Sequence, residues 1–196
     1  MTNTLLKMGI PTDASGAGRG GILMPKQKFK FRVRVVGFGQ VGGGIELTQQ
    51  VQTCGRPNRN QNGITIHSYN SQVFVAGKGE WQALDLTVRD DVTNSVSSLV
   101  GYQLQKQMNL FEQTTPLAGV DYKFQMYIET LDGANDDPIE QWFLEGCFLE
   151  TVNYDSFDYS SSEPVTIQMS VRYDNATQSG GLMPQQVVTL HGKTTG

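Results

Sequence analysis

The segment Val33–Gly44 places Gly37, Gly39 and Gly42 at the spacing of a dinucleotide-binding loop, directly after a predicted β-strand. In such a loop the glycines permit a tight turn and let the backbone approach a pyrophosphate. This spacing raises the alternative of a dinucleotide-dependent enzyme, which failure of the purified protein to bind any dinucleotide would exclude.

The surroundings of these glycines do not suit that chemistry. A dinucleotide fold buries its first strand on both faces, whereas Phe29–Val35 alternates apolar residues with cations. The fold also needs an acidic residue about 20 positions further on to bind the ribose, and no Asp or Glu lies between Glu46 and Glu80. The pattern therefore favours a glycine-rich turn or bulge that leaves a strand.

No other residues have the spacing of a catalytic or metal site. His67 and His191 each stand without a Cys, Asp or Glu at metal-ligand spacing. Cys54 and Cys147 lack a neighbouring thiol, and the acidic stretch Asp132–Glu140 lacks EF-hand spacing and indicates a solvated hairpin loop. We predict no enzymatic activity, no metal and no cofactor.

Composition excludes several further classes. The chain has 196 residues, a formal net charge of −4 and two cysteines, so it is neither a basic nucleic-acid-binding protein nor a disulfide scaffold. It shows no secretion signal and no apolar run near the roughly 20 residues of a membrane helix. We therefore expect no membrane anchor.

Candidate elements follow from hydrophobic periodicity. Four stretches alternate apolar and polar residues, which is typical of strands with one buried and one solvated face. They are Phe29–Val35, Leu84–Val88, Tyr122–Ile128 and Val165–Tyr173. The sequence predicts a mainly β, antiparallel sandwich or barrel-forming fold.

One segment, Val92–Phe111, has the three-and-four spacing of an amphipathic helix. Its predicted packing residues are Val96, Val100 and Leu104. Asp90 and Asp91 precede it, where a cap and a negative charge both stabilise a helix. Around this core we expect a flexible arm over residues 1–25, a β domain over 26–175 and a tail over 176–196.

Three stretches then point to a family. They are "FKFRVRVVGFG", "NSQVFVAGKGEWQALDLTVRDD" before the helix, and "EGCFLETVNYDSFDYSSSEPVTIQMSVRYDN". In their order along the chain and their residue patterns they resemble the tail tube proteins of contractile-tailed bacteriophages, which are related to type VI secretion tube proteins. The resemblance covers residues 29–175.

The resemblance implies a structural function. Hexameric rings would stack into the rigid inner tube of a viral tail, with tail sheath, tape measure and baseplate proteins as partners. Viral DNA would pass through the lumen during ejection without specific binding. The protein would be assembled in the bacterial host cytoplasm and reside in the virion. A secretion-system tube protein and a β-sandwich binding module remain alternatives.

Two sets of site residues are predicted within that architecture. A wall that lets DNA slide should be neutral to acidic rather than cationic, so we expect Asp85, Thr87, Thr166, Gln168 and Ser170 to face the lumen. Lys30, Arg32 and Arg34 should then lie outside the bore or pair with acids such as Glu129 or Glu145.

The second set lies in "CGRPNRNQNG", Cys54–Gly63, which is polar and lacks a strand or helix pattern. The resemblance assigns this position to contacts between stacked rings. Its predicted contact residues are Arg56, Pro57, Asn58 and Arg59. An acidic surface such as Asp132–Glu140 would be a suitable partner, and a mobile solvent loop is the alternative.

Overall fold

The computed structural model describes residues 25–39, 44–132 and 138–179. The chain divides into two units, Met1–Phe31 and Arg32–Gly196. In the described end of the first unit, the Lys30 amide donates to the Gln27 carbonyl at 3.3 Å across a turn.

The described part is mainly β, as the sequence predicts. One seven-stranded sheet has the order β1-β6-β7-β8-β5-β2, with β9 also paired to β7, and β3 and β4 form a separate two-stranded sheet. The strands are β1 (Phe31–Val36), β2 (Val51–Cys54), β3 (Arg59–Ser68), β4 (Ser71–Trp81), β5 (Leu84–Arg89), β6 (Phe124–Leu131), β7 (Pro138–Tyr154), β8 (Thr166–Arg172) and β9 (Asn175–Ser179). The helices are α1 (Gly44–Gln50), α2 (Ser95–Gln107) and a 3₁₀ turn at Gly119–Asp121.

Strand β7 belongs to two antiparallel groups. Its first half pairs with β6 and β9, and its second half pairs with β8. The change occurs near Gly146, whose φ of +67° is a conformation that side-chain-bearing residues rarely adopt. A Cβ there would lie 2.2 Å from the Asp174 carboxylate, so glycine is required on two grounds. The expected boundary between domain and tail, residue 175, falls at the first residue of β9.

The core lies on the apolar side of the alternating strands. Buried side chains come from β1, β5, β6, β7 and β8, and from one face of α2. The largest fully buried side chains include Phe38, Leu47, Met126, Leu144 and Met169. No helix in the described part is both long and apolar enough to span a membrane.

Helix α2 is shorter than the predicted Val92–Phe111. It begins at Ser95 and ends at Gln107, and both Val92 and Phe111 are almost fully exposed. The predicted bounds are therefore wrong at both ends, because apolar residues in the flanking turns continue the helical period by chance. Asp91 receives hydrogen bonds from the Thr93 and Ser95 hydroxyls and the Val96 amide, which lower the pKa of its carboxyl to about 2.

Two glutamines, rather than Leu104, complete the packing of α2. Val96 and Val100 are fully buried as predicted, but Leu104 is only half-buried and Gln103 is fully buried. The Gln103 amide accepts from the Gly39 amide at 3.0 Å and donates to the Tyr122 carbonyl at 2.6 Å. One turn later, the Gln107 side-chain oxygen accepts from the Leu149 amide at 2.9 Å, and its side-chain nitrogen donates to the Leu149 carbonyl at 2.8 Å. Leu149 lies beside a register shift in the pairing of β7 with β8.

This packing explains the glycines that follow β1. Gly37 and Gly39 have φ values of +82° and +60°, and a Cβ on Gly39 would lie 3.0 Å from the Leu99 carbonyl oxygen and side chain. The glycines therefore let the chain turn closely beneath α2. Gly42 lies outside the described residues. Among the described strands, β8 pairs antiparallel with both β5 and β7, whereas a dinucleotide-binding domain is built on a parallel sheet.

Candidate assembly surfaces

The predicted lumen residues lie together on one sheet face. Antiparallel register places Asp85 opposite Ser170, Thr87 opposite Gln168, and Arg89 opposite Thr166. All five predicted residues are exposed or half-buried, while their chain neighbours point into the core. We call this the polar sheet face. The register brings the residues together, and their orientation toward a bore stays a prediction.

Sequence reasoning missed other members of this face. Thr53 lies across from Thr87, Asn153 across from Gln168, and Thr151 across from Ser170. Only the pairing of four strands reveals them, because β2 is too short, and the end of β7 too irregular in its order of apolar and polar residues, to show a two-residue alternation.

Two arginines also lie on the polar sheet face. Arg172 pairs with Glu80 at 3.5 Å and with Glu150 at 3.4 Å. Arg89 is exposed and forms no ion pair within the part of the chain that the structure describes. Its charge formally offsets that of Asp85, so this face is close to neutral rather than basic.

The cations of β1 lie in a different environment. Arg32 Nε and Arg34 Nη2 each approach a Glu129 carboxylate oxygen at 2.7 Å, and Gln141 Nε2 donates to the same group at 2.8 Å. Burial would raise the pKa of Glu129, but the hydrogen bonds and charges of the two arginines outweigh it and hold the pKa below its usual value. Of the two situations predicted for these cations, outside the bore or paired with an acid, Arg32 and Arg34 show the second, with Glu129 as the acid.

An aromatic pair lies beside this ion-pair cluster. The rings of Tyr127 and Phe143 stack with centroids 4.7 Å apart, and the Arg34 guanidinium lies 5.2 Å from the Tyr127 centroid. Together these contacts tie β1, β6 and β7 into one surface. Glu145, the other predicted acid, is exposed and contributes its carbonyl to the Asp174 amide.

The segment predicted as an irregular loop is mostly a hairpin. Strand β3 begins at Arg59 and pairs with β4 as far as Ser68 and Ser71, so the prediction of a loop through Gly63 is wrong. Residues that look polar and irregular in sequence form a ladder because backbone pairing with β4 does not depend on their side chains.

The predicted ring-contact residues lie at the base of this hairpin, where they contact other residues of the same chain. Arg56 forms an ion pair with the buried Glu140 of its own chain, and Pro57 is buried. The Asn58 carbonyl accepts from the Gln82 amide at 2.9 Å, and the Arg59 guanidinium lies 5.4 Å from the Trp81 ring centroid. These contacts fix the direction in which the hairpin leaves the sheet.

The β3–β4 hairpin itself has one apolar face. Register places Ile64 opposite Val75 and Ile66 opposite Val73, so all four share a side that we call the apolar hairpin face. These side chains are between 44% and 56% exposed. An isolated two-stranded hairpin is marginally stable in water, and a contiguous apolar patch marks an interaction surface.

No arrangement in the described part suits a resident metal. Within it, no three His, Cys, Asp or Glu side chains lie close enough to hold an ion. Cys147 is fully buried and Cys54 half-buried, and burial raises the pKa of each thiol to about 12. Such thiols are poor nucleophiles at neutral pH.

Comparison with solved structures places this architecture among known folds. A chain of the anti-feeding prophage cap, described as a tube terminating cap, matches with a TM-score of 0.62 and 16% identity over 86% of this chain and 99% of that one. The chain shares the fold of contractile injection system proteins.

Two further assemblies contain chains of this contractile injection system fold. One is the sheath/tube terminator of the extracellular contractile injection system PVC, with a TM-score of 0.58 and 12% identity over 81% of this chain and 99% of that one. The other is the PVC sheath-tube complex, with a TM-score of 0.56 and 16% identity over 81% and 94%. No protein-family model and no curated protein matches the sequence.

Proposed function

We propose that this chain is a structural, non-enzymatic tube subunit whose hexameric rings stack into the inner conduit of a contractile tail. The observation that carries the proposal is the apolar hairpin face, which the chain's own described residues leave exposed. A subunit that stacks repeatedly needs an exposed surface that another copy can cover, and a contiguous apolar patch is such a surface. The shared fold supports the proposal, because the similar chains come from cap and sheath-tube assemblies.

Ring formation would proceed by sheet continuation. Strands β1 and β2 stand at the two ends of the strand order, and among the described strands β9 pairs with β7 alone, so each offers backbone groups on one side. Pairing of such edges between neighbouring subunits adds main-chain hydrogen bonds and removes exposed strand edges. Sheath, tape measure and baseplate proteins would be the partners of the completed tube.

The polar sheet face would line the bore. Four strands from each of six subunits, spaced about 4.8 Å apart and tilted about 45°, close a barrel with a bore of roughly 40 Å after allowance for side chains. Such a bore admits hydrated duplex DNA. A nearly neutral wall of hydroxyls, amides and offsetting charges has few cations to bind phosphate, so DNA would slide through.

A direct test is electron microscopy of the purified chain. We expect rings with sixfold symmetry, and stacked tubes at higher protein concentration. Particles that remain monomeric under all assembly conditions would contradict the proposal.

Lysines on the polar sheet face should convert the bore into a DNA trap. The variant Thr166→Lys/Gln168→Lys adds two cations to each subunit, or about twelve to each hexameric ring, and its tubes are assembled with duplex DNA. We expect these tubes to protect bound DNA from nuclease at low salt and to release it as salt rises, because the added lysines bind phosphate. The control Gln125→Lys/Thr177→Lys places the same charge on exposed positions of β6 and β9. Equal protection in both variants would contradict the lumen assignment.

A tube subunit of an extracellular contractile injection system is the second candidate. It is favoured by the PVC chains of the same fold. Particles purified from the producing cells separate the two, because a phage tail joins a DNA-filled head and an injection system does not.

A further inference from the structure

Asn62 and Gly63, both exposed in strand β3, are the one Asn-Gly pair in the sequence. The pairing of β3 with β4 is irregular at this point. On β3 a single residue, Asn62, separates the paired positions Gln61 and Gly63. On β4 two residues separate their partners, Gly79 and Ala76. Two residues opposite one make a β-bulge, which disrupts the hydrogen-bond ladder locally.

The fold itself does not require glycine at position 63. Gly63 has no positive φ, and a Cβ built on it would meet no atom within 4 Å. The glycines across the hairpin differ, because a Cβ on Gly77 would lie 2.8 Å from the Asn62 carbonyl oxygen and one on Gly79 would lie 2.5 Å from the Arg59 guanidinium. Glycine inside a strand weakens the strand, so neither backbone geometry nor packing accounts for Gly63.

The chemistry of an Asn-Gly pair offers an account. The backbone nitrogen of the glycine, once it has lost its proton, attacks the side-chain carbon Cγ of the asparagine. A bond forms between this nitrogen and Cγ, the bond from Cγ to Nδ2 breaks, and the side-chain nitrogen leaves as ammonia. The product is a cyclic succinimide. Glycine favours the closure because its backbone is conformationally free and carries no Cβ to hinder the approach.

The surroundings of Asn62 leave room for this closure. All residues of β3 from Arg59 to Ser68 are exposed. An isolated two-stranded hairpin is marginally stable, and segments with few buried apolar contacts open locally at low cost. Regular strand pairing holds a backbone extended and opposes ring formation, so the bulge and the exposed ribbon favour ring closure at Asn62.

We propose that Asn62 is a self-modification site, at which attack by the Gly63 backbone nitrogen converts the asparagine to aspartate and isoaspartate. Water opens the succinimide at either of its two carbonyl carbons, which gives one product or the other. Overall, one water is consumed and one ammonia is released for each chain, with no oxidant, metal or second protein. The reaction proceeds in the dispersed chain and does not depend on the proposed function.

The modification would change both the charge and the backbone of the hairpin. Strand alternation places position 62 on the same side of β3 as Ile64 and Ile66. Either product therefore puts a new carboxylate at the border of the apolar hairpin face. Isoaspartate also routes the main chain through Cγ, which adds one carbon to β3 directly opposite the bulge.

Peptide mapping of the purified full-length chain tests the site. The protein is incubated at neutral and at mildly alkaline pH, digested and analysed by mass spectrometry, and isoaspartate is labelled with isoaspartyl methyltransferase. We expect amide-to-acid conversion at Asn62 several-fold above that at Asn58 and Asn60, because Arg59 and Gln61 follow these two residues and carry side chains. Conversion should be faster at alkaline pH, since attack needs a deprotonated nitrogen.

Gly63→Ala is the matched control variant. It keeps Asn62, and because the added Cβ meets no neighbouring atom, thermal unfolding should show that the fold is preserved. We expect conversion at Asn62 to fall several-fold in this variant. Conversion in the wild type no greater than at Asn60, or equal conversion in the wild type and in Gly63→Ala, would overturn the inference. Neither result bears on tube assembly, because the measurement uses dispersed chains.

Discussion

Val100→Asp is expected to lower the free energy of unfolding by roughly 3–5 kcal/mol, the usual cost of an uncompensated buried charge. Val100 is fully buried in the middle of the packed face of α2, between Val96 and Gln103. Urea denaturation followed by circular dichroism measures the change. Because whole domains are stable by only about 5–15 kcal/mol, the variant should also lose the ability to form rings.

A control separates burial from charge. Ser98→Asp adds the same carboxylate to the same helix at an exposed position near its N-terminus, where the helix dipole favours a negative charge. We expect this variant to stay within about 0.5 kcal/mol of wild type. Normal stability and assembly of Val100→Asp would show that α2 does not pack on the sheet as described.

Ile66→Ser/Val73→Ser should abolish long tubes while leaving the folded subunit intact. Each of these aliphatic side chains is about half exposed in the single chain, so its loss barely affects folding. If both are buried on assembly, their loss costs about 3 kcal/mol per subunit contact, or roughly a hundredfold in affinity. In the proposed rings every subunit would make this contact, so stacking should fail.

Negative-stain microscopy measures the length of the tubes. Thermal unfolding of the dispersed subunit measures whether its fold is intact. Thr65→Ser/Phe74→Ser is the matched control, because these residues form the adjacent cross-strand pair on the other hairpin face. We expect it to retain most of the tube length. Equal loss in both variants would mean that hairpin stability, not the apolar hairpin face, controls stacking.

Local patterns in the sequence were sufficient for much of the fold. Alternation identified β1, β5, β6 and β8, because a strand with one buried face must repeat every two residues. Helix spacing located α2 and its contacts Val96 and Val100. The cations that alternate along the first strand and the missing acidic residue argued against a dinucleotide site, and the antiparallel pairing of β5 with β8 agrees with that interpretation.

The apolar hairpin face and the contacts of Gln103 and Gln107 became visible only in the tertiary structure. The hairpin from Arg59 to Trp81 was hidden because its strands bury almost nothing within the chain, and burial is what generates a readable pattern. Gln103 and Gln107 are not among the packing residues predicted for the helix, because the sequence does not show that a distant backbone amide or carbonyl needs a hydrogen-bond partner.

The candidate site divides in the same way. Alternation alone places Asp85, Thr87, Gln168 and Ser170 on polar strand faces, because their chain neighbours are apolar. Only the register of β5 against β8 placed them side by side, and only β7 and β2 added their companions. Likewise, the sequence supplied Arg56 and Glu140 as opposite charges, but folding joined them within one chain. Periodicity depends on each residue's immediate neighbours, whereas register and ion pairing depend on residues that are distant in sequence and meet only in the folded chain.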